Sequence, residues 1–362
     1  MQIRLILLGA GKIGEAIVAL LSACGDYAIT VADADPRRLA QIAEGGFANT
    51  TTRLADVADP VTLDALIRGH QVTVSACPYF LTPMIAAAAL EAGSHYFDLT
   101  EDVRSTRAVK ALAENAQTAL VPQCGLAPGF ISIVANDLAQ RFDSLRDVHM
   151  RVGALPIYPS NALKYNLTWS TDGLINEYCN SCEAIVDGQL RETSALEEVE
   201  TFSLDGIDYE AFNTSGGLGT LCDSMAGRVA NLNYKTVRYP GHRDIIKILV
   251  RDLQLGLPER RHILREVLEA SIPMTRQDVV LVFVSVCGMR GGRLEQESYA
   301  RKIYSRTVDG LLLSAIQLTT AAGICAMVDL LVHRHLPQHG LLRQEDTALA
   351  TFLDNRFGRY FA

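Results

Sequence analysis

The fold of this chain of 362 residues is decided by its first stretch, Ile3-Arg-Leu-Ile-Leu-Leu-Gly-Ala-Gly-Lys-Ile-Gly14. The apolar run from Ile3 to Leu8 has the length of a buried β-strand, and three glycines follow it at the spacing G-x-G-x-x-G. A helical apolar pattern then continues through Ala16, Ile17 and Leu20. The order of strand, glycine turn and helix predicts the start of a β-α-β unit.

The next segments continue this unit. A second apolar strand runs from Tyr27 to Ala32 and ends at Asp33, and Pro36 follows where a first helical turn tolerates proline. Strand and helix patterns then alternate, with strands predicted at 47–49, 72–76, 96–98 and 119–123 and helices at 60–68, 82–92 and 106–115. This alternation predicts an α/β fold with a Rossmann-type, doubly wound parallel sheet.

The alternation stops near the segment Gly125-Leu-Ala-Pro-Gly129, after which a helix is predicted at 131–141. From about 148 to 305 the strands look amphipathic and antiparallel, and helices return at 310–331 and 345–357. We therefore predict a dinucleotide-binding domain at 1–125, an α+β substrate and dimerisation domain at 126–307, and C-terminal helices at 308–362 that pack back on the first domain. The expected assembly is a homodimer.

Composition limits the classes of partner. The chain has 33 basic and 41 acidic residues, and its net charge of −8 repels phosphate backbones and anionic membrane surfaces. The segment from Gly310 to Val328 is long enough to span a bilayer. Polar residues interrupt it, and Ala321-Ala322-Gly323 favours close helix packing, so we expect a buried or dimer-facing helix. The sequence predicts neither a nucleic-acid partner nor a membrane partner.

The N-terminal residues lack the pattern of a secretory signal, and eight cysteines in 362 residues are too sparse for a disulfide framework. We therefore expect a cytoplasmic protein. Cys179 and Cys182 form a C-x-x-C motif without a second pair, and His333, His335 and His339 follow a long helix, where cations complement its dipole. No metal site is predicted.

The glycine turn predicts a dinucleotide cofactor held by the backbone of Gly9, Ala10, Gly11, Lys12, Ile13 and Gly14. Gly9 permits the tight turn, Gly11 lets a pyrophosphate approach, and Gly14 lets the helix pack on the strand. The carboxylate of Asp33 can accept both ribose hydroxyls and would repel a 2′-phosphate, which favours NAD over NADP. Arg37 and Arg38 leave NADP open as the less favoured alternative.

Ligands of an open parallel sheet bind beyond the carboxyl ends of its strands. That rule selects the segment after the strand at 72–76, with Ala76, Cys77, Pro78 and Tyr79. It also selects Asp98 and the segment that begins at Gln123, in which Cys124 is expected beside the nicotinamide.

Several motifs together resemble the saccharopine dehydrogenase family. Besides the glycine turn, they are Ser75-x-x-Pro-Tyr79, Gly125-x-x-Pro-Gly129, Tyr165-x-x-Thr-Trp-Ser170, Glu210-Ala-Phe-Asn-Thr214, Arg238-Tyr-Pro-Gly-His242 and Gly340-Leu-Leu-Arg-Gln-Glu-Asp346. They cover nearly the whole chain in order. Within the family, the sequence is most similar to lysine 6-dehydrogenases.

The resemblance implies an NAD-dependent oxidation of the ε-amine of L-lysine to allysine and ammonia, followed by cyclisation to piperideine-6-carboxylate. A free lysine amine has a pKa of about 10.4, so the enzyme must remove its proton before hydride leaves. Asp98 and Tyr79 are the first candidates for this step, and His242 is another.

The same resemblance implies contacts to a small amino-acid substrate. Arg238 is the candidate for its carboxylate, with Asn213 and Thr214 as polar neighbours. Trp169 is the candidate wall for the methylenes, and Cys124 also lines the predicted site.

Two kinds of alternative stay open at this point. A saccharopine dehydrogenase or related secondary-amine dehydrogenase, including one acting on a polyamine such as carboxynorspermidine, would need different carboxylate anchors. A sensor that binds NAD without turnover would carry the same glycine turn.

Overall fold

A computed structural model of the chain describes residues 2–167 and 169–362. These residues separate into two compact units, the first comprising the chain up to Phe130 with Thr307–Leu313 and Gln317–Ala362, and the second comprising Ile131–Arg306 with Ser314–Ile316. The strands in chain order are β1 (Ile3–Leu8), β2 (Tyr27–Asp33), β3 (Thr50–Leu54), β4 (Val72–Ser75), β5 (His95–Asp98), β6 (Ala119–Val121), β7 (Ser144–Pro156), β8 (Cys182–Val186), β9 (Gln189–Thr193), β10 (Glu200–Leu204), β11 (Ile207–Asn213), β12 (Asn231–Arg238), β13 (Asp278–Arg290), β14 (Arg293–Tyr304), β15 (Arg306–Val308), β16 (Leu311–Leu313) and β17 (Gly340–Leu341).

The α-helices connect these strands. In chain order they are α1 (Lys12–Ser22), α2 (Pro36–Glu44), α3 (Pro60–Ile67), α4 (Thr82–Glu91), α5 (Val103–Leu112), α6 (Phe130–Ala139), α7 (Thr171–Cys179), α8 (Leu221–Met225), α9 (His242–Lys247), α10 (Arg261–Ser271), α11 (Ala315–Val332) and α12 (Leu349–Asp354). Short 3₁₀ turns and one π turn complete the helical segments.

The first unit contains a seven-stranded sheet in the order β17-β6-β5-β4-β1-β2-β3, and every neighbouring pair in it is parallel. The strand order reverses direction at β1, so β1 and β4 lie side by side at the switch point of the sheet. The predicted doubly wound fold is thus confirmed. One strand was misplaced, because β3 is Thr50–Leu54 and the predicted segment 47–49 leads into it through Asn49, whose φ is 54°.

The second unit contains a mixed sheet with the path β10-β11-β12-β7-β13-β14. The prediction of purely antiparallel strands is wrong for one pair, because β12 lies parallel to β7. One face of this sheet packs against α7, α9 and α10, which contribute Leu174, Tyr178, Ile246 and Leu268 to a buried apolar cluster. The sheet and these helices fix the carboxyl end of β12, where a buried arginine ends the strand.

Helix α11 is long and apolar enough to cross a membrane by length and composition, and 89 % of its residues are buried inside the protein. A Cβ on Gly323 would lie 2.6 Å from the carbonyl oxygen of Cys124, so close packing here requires glycine. The predicted buried helix is confirmed. The helix predicted at 345–357 is present but shorter, because Gln344–Asp346 forms a 3₁₀ turn and α12 covers only Leu349–Asp354.

The end of the chain is attached to the first unit by a buried carboxylate. Asp329 accepts hydrogen bonds from the hydroxyl of Tyr27 at 2.7 Å, from Nη2 of Arg356 at 2.5 Å and from Nδ2 of Asn355 at 2.8 Å. Arg356 also donates to the exposed carboxylate of Asp26 at 2.6 Å. These contacts connect the start of β2, helix α11 and the segment after α12.

Candidate active site

The glycine turn after β1 has the geometry that the sequence predicts. Gly9 has a φ of 102°, which only glycine adopts readily, and a Cβ on it would lie 2.7 Å from the carbonyl oxygen of Ala76. A Cβ on Gly14 would lie 2.1 Å from the carbonyl oxygen of Gly9. A Cβ on Gly11 would meet no described atom within 4 Å. The space above Gly11 is therefore open to a ligand, whereas the other two glycines are required by the chain itself.

The turn also presents donors to an anion. The first bond of α1 runs from the N–H of Glu15 to the carbonyl oxygen of Gly11 at 2.9 Å, so the preceding amides of Ile13 and Gly14 have no acceptor within the helix. A helix N-terminus with such amides suits a phosphate group. The open space and these donors fit the pyrophosphate of a nicotinamide dinucleotide.

Asp33 is buried at the end of β2 and holds the turn in place. Its Oδ2 accepts from the N–H of Ala10 at 2.7 Å, and its Oδ1 accepts from the N–H of Asp35 at 2.8 Å. Arg38 reaches within 3.7 Å of Oδ2, and Arg37 pairs instead with Asp35. Arg38 thus lies beside Asp33, the predicted ligand of the ribose. The carboxylate of Asp33 also stabilises the glycine turn through its bond to Ala10.

Two alanine substitutions should separate the role of this turn in folding from its role in binding. Gly11→Ala should leave the melting temperature unchanged, because its Cβ meets no atom of the chain, and should weaken cofactor binding at least tenfold by filling the pyrophosphate position. Gly14→Ala should weaken binding and also lower the melting temperature, because its Cβ collides with the backbone at Gly9. Titration calorimetry with NAD and thermal denaturation of the cofactor-free protein test both. Equal melting losses for the two variants would contradict this assignment.

The segment after β4 lies beside the glycine turn. The N–H of Ala76 donates to the carbonyl oxygen of Leu8 at 2.8 Å, and Cys77 and Pro78 lead from there into a 3₁₀ turn that begins at Tyr79. The ring of Tyr79 is partly exposed and makes an edge contact with Phe80. Ala76 and Cys77 are therefore positioned to border the cofactor.

Asp98 ends β5 and is buried. Its Oδ1 accepts from the amides of Thr100 at 3.0 Å and Gln123 at 2.9 Å, whereas its buried Oδ2 makes no hydrogen bond to a described residue. Burial raises the pKa of this carboxyl to about 6, and the amides of Gln123 and Thr100, together with the neighbouring hydroxyl of Tyr96, oppose part of that shift. Its pKa is compatible with proton transfer near neutral pH, but protein atoms enclose Oδ2, so contact between Asp98 and a substrate stays a prediction.

Glu101, three residues further on, was not identified from the sequence. It is partly buried, and burial raises its pKa to about 7, with the charges of Asp102 and Asp98 acting in the same direction. Glu101 lies near Asp98 in the chain and is a second carboxyl group there that can titrate near neutral pH.

Cys124 does not suit the predicted position beside the nicotinamide. Its side chain is fully buried, and its thiol donates to the carbonyl oxygen of Val121 and contacts the amide of Gln344 at 3.2 Å. Because protein atoms enclose the sulfur, the assignment of Cys124 as a substrate contact is corrected to a core residue.

In the second unit, Arg238 ends β12 with its guanidinium buried. Its Nε donates to the hydroxyl of Tyr178 at 3.1 Å, its Nη1 donates to the carbonyl oxygen of Val237 at 2.9 Å, and the ring of Tyr165 lies 4.9 Å below its central carbon. Glu177 acts on it electrostatically, but no carboxylate among the described residues forms an ion pair with it. Within the described part of the chain, the other buried lysine and arginine side chains are Arg151 and Lys235, and both pair with Glu200.

His242 begins α9 and is not suited to the acid–base role predicted for it. Its Nδ1 lies 2.9 Å from the carbonyl oxygen of Leu163 and its Nε2 lies 3.0 Å from the hydroxyl of Tyr178. Burial, together with the charge of Arg238, lowers its pKa to about 3. The ring is therefore neutral at physiological pH and enclosed by protein, and the prediction of His242 as a proton donor or acceptor is wrong.

The predicted polar neighbours of Arg238 divide between the two faces of the sheet. Asn213 pairs in register with Lys235, three residues from Arg238, so its side chain projects from the opposite face, where it reaches Thr193. Thr214 instead bonds the hydroxyl of Thr236, which shares the face of Arg238. The assignment of Asn213 as a neighbour of Arg238 is therefore corrected.

Trp169 is partly buried against the apolar cluster that contains Tyr165 and Tyr178. This position is compatible with the predicted wall of the pocket and equally with a place in the core. Its neighbour Thr168 lies outside the described residues.

Two functional contacts were missed from the sequence. Tyr178 lies inside α7, 60 residues from Arg238, and no local pattern marks it. Glu210 accepts from the amides of Gly241 and Arg243 at 2.9 and 2.7 Å and so fixes the turn that carries His242. Its pairing with Arg238 across β11 and β12 could have been predicted only from the strand register.

Comparison with known proteins identifies two family models that together cover nearly the whole chain. The model for the saccharopine dehydrogenase NADP binding domain matches residues 5–123, and the model for the saccharopine dehydrogenase C-terminal domain matches residues 125–355.

Curated relatives carry the name saccharopine dehydrogenase [NADP(+), L-glutamate-forming]. The protein of Pyricularia oryzae is 22 % identical over 305 residues, which are 77 % of this chain and 66 % of the relative. The protein of Saccharomyces cerevisiae is 22 % identical over 259 residues, which are 68 % of this chain and 57 % of the relative. The chain thus spans less than two thirds of the length of these relatives.

Solved structures share the fold. Apo saccharopine dehydrogenase (L-Glu forming) from Saccharomyces cerevisiae superposes with a TM-score of 0.76 at 17 % identity, covering 97 % of both chains. Homospermidine synthase from Legionella pneumophila, solved with NAD, superposes with a TM-score of 0.68 at 12 % identity, covering 100 % of this chain and 90 % of that one.

Proposed function

Because this chain belongs to the saccharopine dehydrogenase family, we propose that it is a nicotinamide-dependent dehydrogenase that oxidises a carbon–nitrogen bond of an amino-acid-derived substrate. The open glycine turn with its helix N-terminus supports the cofactor, and the buried carboxylate of Asp98 supports proton removal. The finer proposal is NAD-dependent oxidative deamination of the ε-amine of L-lysine.

The observation that carries this choice is the set of buried cations. Among the described residues, Arg238 is the one buried arginine or lysine that pairs with no carboxylate, so the second unit offers one anchor of this kind. L-Lysine has a single carboxylate, whereas saccharopine has three. A buried guanidinium gains most from a partner of opposite charge, which a substrate carboxylate provides.

The chain's own residues have separate tasks in this reaction. In the first unit, Asp98 is the proposed acceptor of the proton from the substrate ammonium, and Tyr79 is proposed to orient the amine. In the second unit, Arg238 is the proposed partner of a substrate carboxylate. A nicotinamide dinucleotide held at the glycine turn from Gly9 to Gly14 would supply the acceptor for the hydride of Cε. Water then adds to the resulting imine carbon and ammonia leaves, which yields allysine. Allysine loses water on cyclisation to piperideine-6-carboxylate.

Saccharopine dehydrogenase activity is the second candidate, and the names of the curated relatives favour it. The deciding experiment incubates the purified protein with NAD or NADP and either L-lysine or saccharopine, and follows nicotinamide reduction and ammonia release. Reduction with lysine and release of ammonia supports deamination. Reduction with saccharopine alone supports the alternative. If the protein binds the cofactor but reduces it with neither substrate, both activities are overturned and a sensor role is favoured.

The pH dependence should report Asp98. Because the pKa of this carboxyl is raised to about 6 and the ionised form accepts the proton, kcat/KM for L-lysine should rise tenfold per pH unit below about 6 and less steeply above it. Asp98→Asn keeps an oxygen for the amides of Thr100 and Gln123 and should therefore fold normally. It should lose most of the activity and the rise of kcat/KM with pH. If Asp98→Asn still shows a rise of kcat/KM with pH, centred near pH 7, the rise would be assigned to Glu101.

Cofactor choice should depend on Asp33. We expect wild-type protein to use NAD with higher kcat/KM than NADP, and Asp33→Ser to lower that ratio by roughly 10- to 100-fold, because hydrogen bonds to a charged group contribute about 1.5–3 kcal/mol. Arg38→Ala is the matched control and should lower NADP use alone. Initial rates with both cofactors test this, and an unchanged ratio in Asp33→Ser would refute the proposed preference for NAD.

We further propose a homodimer in the cytoplasm. The side chains of Leu294 and Tyr304 on β14 are more than half exposed, which supports burial of this surface in a dimer. All eight cysteines are free thiols, which supports a reducing compartment. Light scattering after gel filtration tests the assembly.

A further inference from the structure

Arg238, Tyr178 and His242 form a continuous buried chain of hydrogen bonds in the second unit. The links are Arg238 Nε to Tyr178 Oη at 3.1 Å, Tyr178 Oη to His242 Nε2 at 3.0 Å, and His242 Nδ1 to the carbonyl oxygen of Leu163 at 2.9 Å. All three side chains are at most 3 % exposed. No water is needed to complete the chain.

The direction of every bond in this chain is fixed. A guanidinium has no acceptor, so Nε donates and the hydroxyl oxygen of Tyr178 accepts. A carbonyl has no donor, so Nδ1 of His242 carries a hydrogen and donates to Leu163. The neutral imidazole then has an acceptor at Nε2, which the hydroxyl hydrogen of Tyr178 satisfies. The chain begins at a cation and ends at a backbone carbonyl, without a group left to exchange a proton.

Aromatic rings hold the same group from the sides. The ring of Tyr165 covers one face of the Arg238 guanidinium and makes an edge contact with His242 at 5.3 Å between centroids. Phe212 stacks parallel to the imidazole at 6.4 Å. The guanidinium therefore has one orientation, which a long flexible side chain would not keep by itself.

We propose that Tyr178 and His242 are positioning residues that occupy the Nε edge of Arg238 and so present its two Nη nitrogens to the substrate carboxylate. A carboxylate can bind a guanidinium either through Nε and one Nη or through both Nη. Tyr178 occupies the first mode. Nη1 donates one of its two hydrogens to the carbonyl oxygen of Val237 and keeps the other, and Nη2 makes no hydrogen bond to a described residue. Binding through both Nη nitrogens therefore remains, and this mode accommodates one carboxylate in one orientation. This inference rests on the proposed function for the identity of that carboxylate.

The test compares Tyr178→Phe with wild type on L-lysine and on 1,5-diaminopentane, which has the same amine and no carboxylate. We expect kcat/KM for lysine to fall about tenfold, mainly through KM, and kcat/KM for the diamine to stay unchanged. In an Arg238→Met background the same substitution should have no further effect, because it acts only through Arg238. His242→Gln has an amide that can accept from Tyr178 and donate to Leu163. Its kcat/KM for lysine should therefore fall less than that of His242→Leu. Equal losses on both substrates, or additive losses in the double variant, would overturn the proposal.

A second measurement does not depend on turnover. Hydrogen exchange of the Arg238 Nε–H, identified in nitrogen-15 spectra by its absence from Arg238→Lys, should be at least tenfold faster in Tyr178→Phe. Unchanged exchange would overturn the positioning chain even if lysine is the substrate. If neither lysine nor saccharopine is oxidised, the proposed function fails, and faster exchange would still support the chain.

Discussion

Arg238→Met should lower kcat/KM for L-lysine by roughly 10²- to 10³-fold at neutral pH, while NAD binding and the melting temperature stay close to wild type. Truncating one partner of a buried, hydrogen-bonded charge pair costs about 2–5 kcal/mol. The fold should tolerate the change, because methionine is unbranched and fills irregular space, and because no carboxylate of the described chain is left without its ion pair. Steady-state kinetics with varied lysine test the prediction.

The control for this variant is Arg151→Met. Arg151 is equally buried but pairs with Glu200 on the opposite face of the same sheet, so its loss should lower stability and leave the KM for lysine unchanged. If Arg238→Met retained kcat/KM within threefold of wild type, the carboxylate anchor would have to be elsewhere and the argument for a substrate with one carboxylate would fail.

The first unit was predictable from the sequence because its signals are local. The run from Ile3 to Gly14 contains a strand, a turn and a helix start within twelve positions, and two of its three glycines, Gly9 and Gly14, are required by close backbone contacts. The strand at 47–49 was misplaced because Phe47 is apolar, whereas the strand itself is the polar edge segment Thr50–Leu54. Edge strands bury little surface, so apolar patterning locates them poorly.

The site residues of the second unit were predictable only in part. Arg238 and His242 were identified through the family resemblance. Their roles depend on Tyr178, 60 positions from Arg238, and on Leu163, 79 positions from His242. Such pairings follow from tertiary packing and have no local pattern. Asn213 was misassigned because the family motif does not give the register of β11 against β12, which determines the face that its side chain occupies.

Asp329→Ala should destabilise the protein by about 3–5 kcal/mol, because it removes the buried carboxylate that accepts hydrogen bonds from the half-buried Arg356, from Tyr27 and from Asn355. For a unit of this size, that loss corresponds to a fall in melting temperature of roughly 6–20 °C. Asp26→Ala removes the exposed partner of the same arginine and should cost no more than about 1 kcal/mol. Differential scanning calorimetry of the two variants tests the difference, and similar shifts for both would contradict the argument.

The sign of the pH dependence provides an independent check on Asp329. Burial opposes ionisation of this carboxyl, but the hydrogen bonds from Arg356, Tyr27 and Asn355 together lower its pKa below the ordinary value. The stabilisation should therefore be complete above the unfolded-state pKa of about 3.9 and be lost as the pH falls through the lower folded-state pKa. Wild type and Asp329→Ala should accordingly differ most in melting temperature at neutral pH and converge in acid.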